Sequence, residues 1–278
     1  MDFLDRLIDL ALLEDVGPGD LTSEALIPEG AHGRAVFLCK ERMVLAGTEA
    51  ARRTFRAVDP SCQIRFHVEE GRVIEPGSVF GTVDGPVRAL LVGERTALNF
   101  LQRLCGIATL TRRYVEALEG GKLQLLDTRK TIPGHRVLEK AAVRAGGARN
   151  HRFALYDGVL IKDNHLAAVG SIEEAIRLAR LRAPSLTKIE VEVEDVDGAR
   201  RAAEAGADVI LLDNMGDETI AEAVRAVAGR ALVEISGGIT FERLPRLAAT
   251  GADFVSAGAI THQARAVDIS LDLEAAGA

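Results

Sequence analysis

From residue 123 onward the chain repeats one rhythm: a short apolar run, a polar turn, then a stretch of helical periodicity. Candidate strands fall at 123–126, 159–161, 189–193, 209–212, 232–235 and 254–256. Amphipathic helical patterns at 136–145, 172–181, 196–205, 218–227 and 241–249 separate them. Short apolar strands alternating with amphipathic helices pair in parallel through right-handed crossovers. This half of the chain is therefore α/β, either a barrel or an open doubly wound sheet. No GxGxxG turn opens its first unit, which disfavours a dinucleotide-binding sheet. Six visible strands fall short of the eight that close a barrel, so an incomplete barrel that needs cover is expected.

The N-terminal third reads as α+β. Phe3, Leu4, Leu7, Ile8, Ala11 and Leu12 keep helical spacing behind a candidate N-cap, Asp2. Strand-like runs follow at 35–38, 63–68 and 78–83, with a helix over 48–58. A long helical stretch over 87–118 contains Gly93 and Gly106 as candidate breaks. At 278 residues, 47% hydrophobic and 27% charged, the chain has the composition of a soluble globular protein with room for two domains. It lacks any apolar run near the ~18 residues that span a bilayer. Its first residues are acidic, unlike a secretion signal. Cys39, Cys62 and Cys105 match neither a disulfide framework nor a zinc pattern, so buried thiols in a reducing cytoplasm are expected.

Polar residues cluster after nearly every candidate strand, where an α/β barrel gathers its chemistry. Asp127-Thr128-Arg129-Lys130 follows the first and Lys162-Asp163-Asn164-His165 the second. Glu190, Glu192 and Glu194 alternate along the third, and Asp213-Asn214 closes the fourth. SGGIT at 236–240 and SAGAIT at 256–261 end the last two, and such small-residue turns before helices suit phosphate. Residues 127–165 hold eight Lys or Arg in a chain of net charge −7. A local cationic patch in an acidic protein fits a small polyanion rather than nucleic acid. Lys130 and Lys162 are candidates for a Schiff base or for fixed cations. The abundance of cations (Arg129, Lys130, His151, Arg152, Lys162) favours the second role. Arg136, Lys140 and Arg144 read as the solvated face of the intervening helix. Glu192 and Asp213 supply the opposite sign, for Mg2+ or a developing positive charge. His32, His67, His135, His165 and His262 gain no chemical role from spacing.

DTRKT-PG, GG-NHR, LYD---IKDNH, EVE, LLDN, SGGIT and a late GAITH, with ALLEDVGPGDLTSEAL and GERTALNFLQRLCGIAT upstream, resemble the quinolinate phosphoribosyltransferases nearly end to end. The resemblance implies an N-terminal α/β sandwich domain over 1–108, with the tail 264–278 returning to it. An incomplete, open α/β barrel of six to seven strands would occupy 109–263. It also implies a homodimer with shared active sites, leaving a hexamer open; the charge distribution and the lack of a long apolar run already argue against a nucleic-acid or membrane partner. Its substrates would be quinolinate and phosphoribosyl pyrophosphate, with Mg2+. Carried over by motif, Arg129, His151 and Arg152 would bind the quinolinate carboxylates, aided by Arg95 from the neighbouring subunit and by Thr128. Lys130 and Lys162 would lie between the substrates, and Glu192 and Asp213 would hold ribose hydroxyls and Mg2+. Ser236, Gly237, Gly238, Ala257 and Gly258 would grip the 5′-phosphate, with His262 close by. Ile132 and His135 depart from the family pattern beside the cations. A related transferase for another acidic aromatic, or a non-catalytic anion-binding paralogue, are the alternatives.

Overall fold

The computed structural model describes residues 2–274, which form two compact units. The first unit gathers the chain up to Arg112, Pro133–Gly147 and the chain from Ala264; the second holds Arg113–Ile132 and Ala148–Gln263. Residues 275–278 of the tail lie outside the described residues.

In the first unit the strands are β1 (His32–Cys39), β2 (Met43–Val44), β3 (Gln63–Phe66), β4 (Val73–Ile74) and β5 (Val79–Pro86), joined late in the chain by β12 (Ile269–Leu273). An antiparallel sheet runs in the order β12-β1-β5-β3, and β2 pairs with β4. Alternate residues of β1 are buried, so one face of the sheet meets the core. There Phe37 packs against Phe55, Phe66 and Phe80 at centroid distances of 6.2, 5.3 and 5.8 Å. The fully buried rings of Phe37, Phe55 and Phe80 each contribute roughly 1.5–3 kcal/mol of transfer free energy, and half-buried Phe66 less.

The helix Val87–Glu116 runs unbroken through both candidate breaks. A Cβ at Gly93 would lie 2.8 Å from the Phe55 ring, and one at Gly106 would lie 1.9 Å from the Arg265 carbonyl oxygen. These glycines permit close approach by neighbours rather than interrupting the helix. The helix Arg136–Ala145 corrects part of another expectation: of Arg136, Lys140 and Arg144, Lys140 is buried and Arg136 half-buried, while Arg144 is exposed as expected. It packs within the first unit, where Arg103 donates to Glu139 at 2.9 Å and Arg112 to the Gly146 carbonyl at the same distance. The amphipathic pattern is sound; what spacing does not reveal is that Lys140 on this face is covered by other protein.

Six strands make up the second unit: β6 (Gln124–Leu126), β7 (Val159–Ile161), β8 (Ile189–Val193), β9 (Val209–Asp213), β10 (Leu232–Ser236) and β11 (Phe254–Ser256). All pair in parallel, in the order β6-β11-β10-β9-β8-β7. Among the described residues β6 and β7 do not pair with each other, so the sheet is open. Beyond β6 the chain at Arg149 makes a further parallel bridge to Leu126. Registers Ser236↔Asp213 and Ser256↔Leu126 bring the C-terminal strand ends to one edge. Ser171 and Asp195 cap the helices Ile172–Arg182 and Val196–Glu204 through their side chains.

Two local expectations change. The helix foreseen at 241–249 is a 3-10 turn, Phe241–Arg243, followed by the short helix Leu244–Ala248, with Pro245 in its first turn where no N–H is needed. KDNH starts a helix, Asp163–Val169, because the Lys162 N–H donates to His165 Nδ1 at 2.9 Å. Among the described residues no helix is long and apolar enough to cross a membrane.

Candidate active site

The second unit sets most of the foreseen residues on the C-terminal edge of its sheet. Asp127 follows β6, fully buried, and accepts from Asn150 Nδ2 at 2.6 Å and from the His151 N–H at 2.9 Å. It thereby ties the segment beside β6 to the strand end. The Thr128 hydroxyl accepts the Lys130 N–H at 3.0 Å, and the Lys130 carbonyl accepts the Thr261 hydroxyl at 2.7 Å. A Cβ on Gly258 would sit 2.8 Å from Lys130 Cδ and 3.2 Å from the His262 ring, so glycine there makes room for both. After β7, Lys162 Nζ donates to Glu192 Oε2 on β8 at 2.6 Å. Asp213 ends β9 and accepts from Asn214 Nδ2 at 2.7 Å.

The turn after β10 needs both its glycines. Gly237 and Gly238 have φ of 81° and 58°, and a Cβ on Gly237 would collide with Asn214. Just past this turn, Arg243 reaches the connection after β9, donating to Asp217 at 2.7 Å and to the Met215 carbonyl at 2.6 Å. At the next turn the Ala257 N–H donates to the Leu126 carbonyl at 3.1 Å, so this amide serves the sheet rather than a phosphate.

Beneath the edge lies a buried polar group. His151 Nε2 is 2.9 Å from Glu190 Oε2 and 3.6 Å from Glu234 Oε2, while Nδ1 accepts the Arg152 N–H at 2.7 Å. Burial and the nearby Glu190 charge push the Glu234 carboxyl up to about 8 from 4.5. Arg152 is lowered from the usual guanidinium value, first by burial and then by Arg129; Glu190 acts in the opposite sense. Glu234 holds its proton more tightly folded than unfolded. Its stabilising contribution is thus fully present below pH 4.5 and lost as pH rises through about 8. Urea unfolding of Glu234→Gln between pH 5 and 8 is expected to show a flatter pH dependence than the native protein. Equal slopes would refute this.

Arg129, Lys130, His151, Arg152, Lys162, Glu192, Asp213, Ser236 and the glycine turns all belong to the second unit, while Arg95 is an exposed residue of a first-unit helix. Sequence reasoning gave no role to Asp127, Asn150, Glu190 or Glu234 within this site. Glu234 carried a usable signal: a lone carboxylate inside the apolar run of β10.

An open parallel α/β sheet whose strand ends carry lysines, arginines, carboxylates and a double-glycine turn defines a class of enzyme that handles polyanionic substrates. Residues 20–105 match the family model "Quinolinate phosphoribosyl transferase, N-terminal domain", and residues 107–272 match the C-terminal domain of the same family. The chain belongs to the quinolinate phosphoribosyltransferase family. It is 44% identical to a probable nicotinate-nucleotide pyrophosphorylase [carboxylating] of Bacillus subtilis, over 97% of this chain and 93% of that protein. The crystal structure of NadC from Streptococcus pyogenes superposes with a TM-score of 0.94 at 42% identity, covering 98% of this chain and 96% of that one. The nicotinate-nucleotide pyrophosphorylase of Francisella tularensis does so at 0.94 and 38% identity, covering 98% of this chain and 96% of that one.

Proposed function

We propose that this enzyme transfers the phosphoribosyl group of phosphoribosyl pyrophosphate to the ring nitrogen of quinolinate. The products are nicotinate mononucleotide, pyrophosphate and CO2, the carboxylating nicotinate-nucleotide pyrophosphorylase reaction of NAD biosynthesis. The observation that carries the reading is the shared sheet edge: cations after β6 and β7, carboxylates at β8 and β9, and the double-glycine turn after β10.

Arg129 and Arg152 hold the two carboxylates, since paired guanidiniums suit planar anions. Lys130 faces the pyrophosphate, and the Gly237–Gly238 turn receives the 5′-phosphate. As the C–O bond to pyrophosphate breaks, positive charge grows on the ribosyl carbon beside Glu192 and Asp213. The ring nitrogen, once bonded to ribose, is cationic and takes up the electron pair released when the adjacent carboxylate leaves as CO2. A proton then replaces that carboxylate. Glu192 and Asp213 offer hard carboxylate oxygens on neighbouring strands, a donor set that fits Mg2+ bound with water and phosphate oxygens. When bound, Mg2+ supplies positive charge to the leaving pyrophosphate. The three buried, unpaired thiols suit a cytoplasmic location.

Purified enzyme with phosphoribosyl pyrophosphate and Mg2+ is expected to consume quinolinate and release CO2, and to leave nicotinate unused. Turnover of nicotinate instead would favour the related transferase, and turnover of neither would overturn the reading. The enzyme works as a homodimer in which Arg95 completes the site of the second copy. An equimolar mixture of Arg95→Ala and Lys130→Ala chains is then expected to recover about one quarter of native activity, since random pairing leaves that share of sites intact. No recovery after verified subunit exchange would refute sharing.

A further inference from the structure

His151 stands among the cations expected to bind quinolinate, yet both its ring nitrogens are taken by protein. Nδ1 accepts the Arg152 N–H at 2.7 Å, so it carries no proton. Nε2 must then carry the ring proton, and it points at Glu190 Oε2, 2.9 Å away. The main chain is held as well, through the His151 N–H to Asp127 Oδ1 at 2.9 Å. A ring gripped on both sides is neutral and has no N–H left to offer a substrate carboxylate. Its position dictates where the next residue goes. Arg152 leaves this anchor with its own N–H fixed to the ring, and its Nη1 donates to the Gly158 carbonyl at 2.9 Å.

We propose that His151 does not touch substrate: it is a neutral positioning residue that aims the Arg152 guanidinium, and the buried Glu190–Glu234 pair is its anchor. This rests on the reading of Arg129 and Arg152 as the dicarboxylate cradle. Several observations converge. Glu190 and Glu234 are 7% and 2% exposed, and each keeps one carboxyl oxygen without a hydrogen-bond partner, an arrangement too costly for two full charges. Nearby Glu190 favours the cationic form of Arg152, which burial and Arg129 oppose.

The same three side chains bring their donor atoms within 4.8 Å of one another, a spacing that also suits a metal ion. The two arrangements differ in a measurable way, because a metal on Nε2 would displace its proton. Long-range 1H–15N NMR of 15N-histidine-labelled enzyme, with the His151 signal assigned by its loss in His151→Gln, is expected to show the neutral Nε2–H tautomer. That tautomer should persist at saturating quinolinate. An imidazolium, an Nδ1–H tautomer, a tautomer change on adding quinolinate, or stoichiometric bound metal would each overturn the proposal. In kinetics, Glu234→Ala should raise KM for quinolinate tenfold or more while moving kcat and KM for phosphoribosyl pyrophosphate less than threefold. Glu234→Gln, which keeps the shape and donor of the neutral acid, should restore most of that loss. Equal damage to both substrates, or no rescue by glutamine, would count against positioning. Should the native enzyme not turn over quinolinate at all, the functional reading would fall while the NMR signature still decides whether His151 is clamped.

Discussion

Replacing Lys130 by alanine is expected to lower kcat by ~10²–10³, the usual effect of deleting a preorganised group that meets developing negative charge. The unfolding midpoint should barely move. Lys130 is fixed through its backbone, by the Thr128 hydroxyl on its N–H and the Thr261 hydroxyl on its carbonyl, and alanine keeps both bonds. Steady-state rates at saturating phosphoribosyl pyrophosphate, paired with urea titration, separate the two quantities. A loss below tenfold in kcat would remove Lys130 from the reaction centre.

The opposite profile is expected for Asp127→Ala. Asp127 is fully buried and its two carboxyl oxygens accept from Asn150 Nδ2 and the His151 N–H at 2.6 and 2.9 Å. Each hydrogen bond to an ionised group is worth ~1.5–3 kcal/mol, so alanine should cost about 3–5 kcal/mol of stability. Activity should fall with it, because these bonds hold the segment from which Arg152 projects. Asp127→Asn keeps the volume and one acceptor, and should lie between the two proteins. The comparison needs unfolding curves for all three and quinolinate KM values for those that remain folded. An alanine variant within 1 kcal/mol of native would be inconsistent with a structural role for this carboxylate.

The repeating strands were legible because they obey a strict rule: short apolar runs, bounded by turns, with helices at regular intervals. All six appear in the structure within about a residue of their expected ends. Charged residues at the strand ends were equally legible, since parallel order places every C-terminal end on one edge. Partnership was not. Lys140 looked like a solvated lysine because helical spacing reports a face without saying what covers it, and Lys140 is buried although Arg144 on the same face is exposed. His151 looked like one more cation for the same reason: only the approach of Glu190 and the Arg152 N–H reveals that its ring is already engaged. Gly106 resembled a helix breaker, yet its role is set by the carbonyl of Arg265, far along the chain. In each case the missing information was a contact between residues distant in sequence.

The order in which the chain supplies its parts has a consequence for synthesis. The first unit takes in residues up to Arg112, then Pro133–Gly147, and lastly β12, which lies along β1 with Ala35 opposite Leu273. On the ribosome, β1 is made early and must wait for a strand more than two hundred residues downstream, so its sheet edge stays open through most of translation. Such an edge is a template for wrong pairing, and contacts this remote form slowly. The second unit interrupts the first, and its local βα repeats can fold while the first is still incomplete. A fragment ending near Arg112, however soluble its composition looks, would keep that unprotected edge permanently and should aggregate where the full chain does not.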